Sequence, residues 1–152
     1  MEKVFDDIKT IRAAAASLTA HLTLEQLNKV PDGFANNIIW NLGHMIAAQQ
    51  GLCYKRGNAP LVVEESFFEI YKPGTTPTGF IDEAGVEEIK TLILSTIYQL
   101  EQDYNEEKFS DYPAFTTRYG VEISSIEEAI KFLTFHDGLH MGYIMALKRA
   151  IN

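Results

Sequence analysis

Apolar residues recur at every third or fourth position in four long stretches of the chain, a pattern typical of amphipathic α-helices. Segments rich in glycine, proline and polar residues separate these stretches. The predicted long helices span about residues 5–22, 34–56, 82–104 and 124–150, with a short helical turn at residues 23–27. Four such helices in one short chain indicate an all-α four-helix bundle.

Local signals mark the ends of these helices. The second helix is predicted to stop at Gly57-Asn58-Ala59-Pro60, because glycine and proline terminate helices. Asp82 is the predicted N-cap of the third helix, since its side chain can accept a hydrogen bond from a free backbone N–H. Ser124 and Ser125 each precede a glutamate by three residues, the spacing of a capping box at the start of the fourth helix.

Two connecting segments lack the helical pattern. Residues 61–79 are predicted to be irregular, because the run that begins Lys72-Pro73-Gly74 cannot lie inside a helix. In residues 105–123 apolar and polar positions alternate, which indicates a short β-hairpin near Tyr119-Gly120, between the third and fourth helices. Neither segment marks a domain boundary, and residues 1–152 are interpreted as one domain.

Charge and cysteine content narrow the class of function. The 152 residues include 13 lysines and arginines against 21 aspartates and glutamates, for a net charge of −8. This balance argues against binding to nucleic acid or to an anionic membrane surface. The single cysteine, Cys53, excludes an internal disulfide and fits a reducing compartment. With no signal-peptide or membrane-spanning pattern in the sequence, we expect a cytoplasmic protein.

Three of the four histidines fall on apolar helix faces. His136 and His140 lie four residues apart on the fourth helix, about 40° apart around its axis, and therefore share one face. The apolar residues of that face are Phe132, Leu133, Leu139, Tyr143 and Leu147. His44 lies on the second helix, one turn after Trp40. We therefore expect all three imidazoles to point into the bundle.

Imidazoles inside a bundle need partners, because an unpaired buried polar group costs about 1–3 kcal/mol. One divalent metal ion bound by His44, His136 and His140 would satisfy all three, and hydrogen bonds within the core are the alternative. Neutral imidazoles suit Zn²⁺, Ni²⁺, Fe²⁺ or Cu²⁺. Three histidines without an obvious fourth protein ligand are typical of an open, catalytic type of metal site.

Two residues near these histidines are candidates for a role in catalysis. Tyr143, one turn after His140, is a candidate proton donor, and an ordinary core aromatic is the alternative. Asn41 lies near the His44 face together with Asn37. Their amides can contact a histidine or line a pocket, and a role in the preceding loop is the alternative.

His21, Cys53 and Asp137 are predicted to lie outside the site. His21 ends the first helix, where an imidazole interacts favourably with the helix dipole. Cys53 is about 180° from His44 around the second helix and is interpreted as a small buried apolar residue. Asp137 lies about 100° from the His136 direction and is predicted to contact a neighbouring helix or solvent.

The second helix is apolar on more than one side, which indicates burial on more than one side. The apolar residues beyond the His44 face are Ile38, Ile39, Met45 and Leu52. A second copy of the chain would cover this surface in a homodimer. Cover by the aromatic-rich residues 61–79 of the same chain is the alternative.

The segments Trp40-Asn41-Leu42-Gly43-His44 and His136-Asp137-Gly138-Leu139-His140-Met141-Gly142-Tyr143 resemble the DinB-like (DinB/YfiT) superfamily, and the resemblance covers essentially the whole chain. It implies an up-down-down-up four-helix bundle, often a homodimer, that binds a divalent metal, commonly Zn²⁺ or Ni²⁺. By the pattern of that superfamily, the three metal ligands are His44, His136 and His140.

The characterised branches of this superfamily look like thiol-dependent enzymes, namely bacillithiol transferases and the mycothiol-dependent maleylpyruvate isomerase. The chain is expected to lack the extra C-terminal domain of the isomerase branch. The resemblance therefore implies a metal-dependent transferase that joins a low-molecular-weight thiol to an electrophilic small molecule. A metal-dependent hydrolase and a non-catalytic metal- or ligand-binding bundle are the alternatives.

Overall fold

Six α-helices and one two-stranded hairpin form residues 1–151, the part of the chain that the computed structural model describes. The helices are α1 (Glu2–Thr19), α2 (Leu24–Asn28), α3 (Ile38–Gln49), α4 (Glu65–Tyr71), α5 (Glu83–Asn105) and α6 (Ile126–Ala150). A π-helical segment, Gln50–Lys55, continues α3. Strands β1 (Phe115–Thr116) and β2 (Glu122–Ile123) pair antiparallel. No helix in these residues is long and apolar enough to cross a membrane.

The four long helices pack as the predicted bundle, in which α1 and α3 each contact both α5 and α6. Near the start of α1, Phe5 packs on Tyr104 at the end of α5, with ring centroids 5.8 Å apart. Phe5 also shares an apolar cluster with Cys53, which follows α3. Near the end of α1, the Leu18 carbonyl accepts a hydrogen bond from Lys148 of α6 at 2.9 Å. These contacts give the up-down-down-up order, because α3 and α5 run against α1 and α6 runs with it.

The predicted caps and hairpin are present. Asp82 caps α5 by accepting a backbone N–H at 3.0 Å, and Ser125 caps α6 by accepting the Glu128 N–H at 3.2 Å. The Glu128 carboxylate accepts hydrogen bonds from the N–H and the hydroxyl of Ser124. In a capping box it would instead accept the N–H of the N-cap residue, Ser125. Between the two strands, Gly120 has a φ of 78°, a conformation that glycine adopts without strain.

The second long helix begins later than predicted, at Ile38. Asn37 fixes this start, because its side chain accepts the Trp40 N–H at 2.9 Å. The predicted turn at residues 23–27 is a five-residue helix with a capping box that begins at Thr23. The π-helical geometry at the end of α3 has no counterpart in the prediction, since helical periodicity alone does not distinguish it.

The segment 61–79 contains helix α4, so its prediction as irregular was wrong. Pro73 and Gly74 end this helix, but they place no restriction on the seven residues before Lys72. The residues of α4 that are buried are Phe67, Phe68 and Tyr71. Since α4 packs on α3 and every residue of α3 is buried, one chain suffices to cover the apolar faces of α3.

A buried polar layer crosses the bundle between two apolar clusters. Arg12 of α1 lies between Ile8, which belongs to one cluster, and Ala15, which belongs to the other. Its guanidinium donates hydrogen bonds to Asp137 Oδ2 at 2.7 Å and to Gln49 Oε1 at 2.6 Å, and it is fully buried. The layer therefore ties α1 to α3 and α6 at the level of the three histidines.

Candidate metal centre

The packing of α3 on α6 brings the three predicted histidines together. One ligand atom from each of His44, His136 and His140 lies within 4.8 Å of the others. The ring centroids are 5.3 Å apart for His44 and His136, 4.7 Å for His44 and His140, and 4.5 Å for His136 and His140. His44 and His136 are buried and His140 is half-buried. This His triad has the donor set and the spacing that could hold one metal ion.

Each imidazole of the His triad has an oxygen atom next to its Nδ1. The pairs are His44 with the Tyr71 carbonyl at 2.7 Å, His140 with Asn41 Oδ1 at 2.8 Å and His136 with Asp137 Oδ1 at 3.3 Å. A carbonyl, an amide oxygen and an ionised carboxylate only accept, so Nδ1 carries the hydrogen in each ring. The tautomer thus selected leaves the Nε2 lone pair for a metal, as in metal sites whose histidines are oriented by such partners.

Asn41 is held in place by two further hydrogen bonds. Its Nδ2 donates to Asn36 Oδ1 and to the Asn37 carbonyl, both at 2.7 Å. These bonds turn Oδ1 toward His140, which is one of the two roles predicted for Asn41. Asn37 takes the loop alternative instead, because it caps α3 and donates to the Asn28 carbonyl at 2.8 Å.

Helix α4 supplies the partner of His44, which the sequence did not reveal. The Tyr71 carbonyl reaches the imidazole because α4 lies close to α3 at Gly43. A Cβ at position 43 would come within 2.5 Å of the Tyr71 ring, so this approach requires glycine. Burial raises the pKa of the Tyr71 phenol to about 12, which keeps the hydroxyl protonated.

The partner of His136 belongs to a buried ion pair. Asp137 and Arg12 both have fully buried side chains, and their charges are 2.7 Å apart. Burial raises the pKa of Asp137, but the Arg12 guanidinium and His136 outweigh it and hold that pKa below its usual value. Asp137 therefore contacts a neighbouring helix, as predicted, and not solvent. Arg12 was not among the predicted residues, although position 12 fits the spacing of Ile8 and Ala15 on the buried face.

Burial keeps two of the imidazoles uncharged. It lowers the pKa of His44 from 6.5 to about 4, against a smaller opposing effect of the Tyr71 carbonyl. It lowers the pKa of His140 to about 3, and the other two histidines add to the shift. Both rings are therefore neutral at pH 7, the protonation state in which histidine binds metals.

The His triad forms part of the wall of an open cavity of about 950 Å³. Aromatic side chains of the wall include Trp40, Phe68 and Phe132. Tyr143 also lines the cavity, is 36% exposed and packs edge-on against Phe34 with ring centroids 5.5 Å apart. The cavity is large enough for a small organic molecule next to the histidines.

The apolar face predicted around His136 divides between the core and this cavity. Leu133 and Leu147 are fully buried in the core. Leu139 is 44% exposed and, like Tyr143, lines the cavity, so only part of this apolar face points into the bundle core. Periodicity identifies a face that avoids water but does not distinguish a core from a cavity wall.

Two of the excluded residues lie apart from the His triad. His21 is exposed in the turn after α1. Cys53 is fully buried in the apolar cluster around Phe5, and burial raises the pKa of its thiol. A protonated, inaccessible thiol is a structural apolar residue, as predicted.

Together, the helical bundle and the buried His triad on an open cavity define a helical protein with a candidate metal site. The family model of the DinB superfamily matches residues 7–144, and the chain belongs to that superfamily. No curated protein matches the chain.

Proposed function

We propose that the protein is a divalent-metal-dependent transferase that conjugates a low-molecular-weight thiol to an electrophilic small molecule. The observation that carries the proposal is the His triad in the wall of a 950 Å³ cavity, with each Nδ1 already paired to an oxygen. A structural metal site would be closed by a fourth protein ligand, whereas this triad opens onto space for a substrate. Zn²⁺ and Ni²⁺ are the proposed ions.

A divalent cation held by His44, His136 and His140 would supply one kind of chemistry, the stabilisation of a thiol as its thiolate near neutral pH. The protein's own residues orient the ligands. Asn41 and the Tyr71 carbonyl fix two of the rings, and Asp137 fixes the third. His44 and His140 are both neutral at pH 7, so protons do not compete with a metal ion for these two ligands.

In the proposed reaction the thiol sulfur forms a bond to the electrophilic carbon of the second substrate. The group that leaves departs with the electron pair of the bond that breaks. The thiol proton passes to solvent, the Tyr143 hydroxyl in the cavity wall donates a proton to the leaving group, and Tyr143 takes a proton back from solvent. Aromatic residues around the cavity would hold the electrophile and exclude water. A reducing cytoplasm, where small thiols persist, suits this reaction and the single buried cysteine.

The test begins with elemental analysis of protein purified without an affinity tag. The protein is then assayed with a matrix of small thiols and electrophiles. We expect about one divalent ion per chain, and turnover that disappears with a chelator and returns with metal. Turnover of an ester or amide with no thiol present would favour the hydrolase. Bound metal without any turnover would favour a binding protein, and no bound metal would contradict the proposal.

The matched variants for this test are His136→Ala and His21→Ala. The first removes a member of the His triad, and the second removes an exposed histidine outside it. Turnover in the His21→Ala protein should equal that of the unmodified protein. Turnover that survives equally in both variants would show that the activity arises elsewhere.

A further inference from the structure

The cavity wall carries positive charge in a protein that is acidic. The chain has 21 aspartates and glutamates against 13 lysines and arginines. Within the described residues 1–151, the wall of the cavity nevertheless includes Lys55, Arg56 and Arg118 and no acidic residue. A random distribution of charged residues would place more acidic than basic side chains on the wall. The excess of basic side chains therefore favours a negatively charged ligand.

The three cations differ in how far they are already neutralised. Lys55 pairs with Glu65 at 2.7 Å and is therefore engaged. Arg56 and Arg118 are exposed, and neither has a carboxylate within ion-pair distance among residues 1–151. Both guanidiniums keep their full set of N–H donors, which match the geometry of a carboxylate or phosphate.

The hairpin brings these two arginines to the same side of the cavity. The Arg56 guanidinium lies over the ring of Phe115 on β1, 3.5 Å from its centroid. Arg118 follows two residues after β1, with its guanidinium 5.5 Å from the ring centroid of Tyr119. Stacking on an aromatic face restrains a guanidinium while its edge stays free for a second partner.

The one carboxylate next to the His triad, Asp137, lies outside the cavity wall. It is fully buried and paired with Arg12.

We propose that Arg56 and Arg118 form an anion-binding subsite, and that a substrate of this cavity carries a carboxylate or phosphate group. The proposal rests on the proposed function only in taking the cavity as the substrate site. One anionic group bound at the hairpin would leave the rest of a small molecule free to extend toward the His triad. The net negative surface elsewhere would then keep anions from binding non-specifically.

Trp40 provides the probe for a direct test. It is the only tryptophan of the chain, lines the cavity and stacks on His44 with ring centroids 4.7 Å apart. The full chain, as purified and with its metal content measured, is titrated with succinate or inorganic phosphate at low ionic strength while tryptophan fluorescence is recorded. Succinamide serves as the uncharged analogue of succinate. We expect a saturable change with at least one anion and none with succinamide.

The variant that tests the subsite is Arg56→Gln/Arg118→Gln. Its matched control, Lys29→Gln/Arg149→Gln, removes the same charge from two exposed residues outside the cavity. Anion affinity should fall about tenfold or more in the first variant, because two charge-assisted hydrogen-bond donors are lost. It should stay within about twofold in the control at fixed ionic strength.

Several results would overturn the subsite. These are no saturable response to either anion, equal binding of succinamide, or equal weakening in both double variants. Binding that survives in Arg56→Gln/Arg118→Gln would place the anion on a bound metal instead. Should that double variant unfold, Arg118→Lys and Arg118→Gln are compared, and only the glutamine variant should lose affinity. Anion binding does not require turnover, so a protein that binds succinate but conjugates no thiol would contradict the proposed function alone.

Discussion

The side chain of Asn41 joins the two helices that carry the His triad, because its Oδ1 lies 2.8 Å from His140 Nδ1. Asn41 itself belongs to α3, one turn before His44, and it is fully buried. Two hydrogen bonds from its Nδ2 fix the direction of the amide. One buried amide thus sets both the tautomer of His140 and its orientation relative to His44.

Replacing Asn41 by alanine should therefore weaken metal binding without removing a ligand. We expect the affinity to fall about 10–100-fold, the usual cost of losing a group that orients a metal ligand. Competition with a chromophoric chelator measures this affinity. Asn105→Ala, which changes an exposed asparagine at the end of α5, should have no effect. Equal affinities in the two variants would mean that Asn41 does not orient a metal ligand.

The three members of the His triad should be needed jointly. His44→Ala, His136→Ala or His140→Ala removes one of three nitrogen ligands, so each variant should lose most of the metal found in the unmodified protein. His21→Ala should retain it, because His21 is exposed and outside the triad. Metal per chain is measured by elemental analysis after gel filtration. Full occupancy in any of the three triad variants would exclude that residue as a ligand.

Sequence periodicity was sufficient for the parts of the site that lie on one helix. His136 and His140 are four residues apart, so any α-helix places them on one face. Asp82 and Ser125 have the cap chemistry that fixes where two of the long helices begin. The position of His44 next to this pair could also be predicted from the sequence, because the apolar faces of two long helices must meet in a bundle.

The parts of the site that could not be predicted from the sequence depend on contacts between distant residues. Arg12 and Asp137 are 125 residues apart, and nothing local marks either as the partner of the other. A charged residue in an apolar stripe is buried only if it is paired, so its burial cannot be predicted until its counter-ion is known. Tyr71 contributes a backbone carbonyl, an atom that every residue has and that no sequence pattern distinguishes.

Stability of the metal-free protein should decrease on acidification because of His44 and His140. Their pKa values are about 4 and 3 in the folded protein, against 6.5 in the unfolded chain. Protons therefore bind the unfolded chain first, and stability that is fully present above pH 6.5 is lost as the pH falls toward 4. At pH 5 each histidine should cost about 2 kcal/mol relative to pH 7.

Urea unfolding at pH 7 and pH 5 measures this loss, with His44→Gln/His140→Gln as the comparison. His21 and His136 are present in both proteins, so the difference between them isolates the two substituted rings. The variant should lose less stability between the two pH values. An equal loss in both proteins would show that His44 and His140 are not held neutral by burial.

A homodimer stays a prediction of the resemblance to DinB-like proteins. Burial of α3 gives no further reason for it, because α4 covers that helix within one chain. Phe135 of α6 is 49% exposed and is an apolar candidate for the contact. A stable interface should bury more than about 1,000 Å² and survive at micromolar concentration. Light scattering after size exclusion should give about twice the chain mass of 17.1 kDa, and a mass of one chain would contradict the dimer.

Removing one partner of the buried ion pair of Arg12 and Asp137 should destabilise the bundle strongly. Arg12→Met removes the cation and leaves a fully buried carboxylate next to His136. We expect a loss of about 3–5 kcal/mol in the free energy of unfolding, because the buried carboxylate loses its counter-ion and keeps only the hydrogen bond from His136. Arg12→Met/Asp137→Leu removes both charges and should recover part of that loss.

Urea unfolding of both variants tests the ion pair, with Lys3→Gln as the control. Lys3 pairs with Asp7 on the exposed side of α1, and loss of such a pair costs at most about 1 kcal/mol. A double variant that is less stable than Arg12→Met would contradict the electrostatic explanation, since it would locate the cost in the packing of the side chains. The same double variant should also bind metal more weakly, because His136 loses the oxygen that fixes its Nδ1 hydrogen.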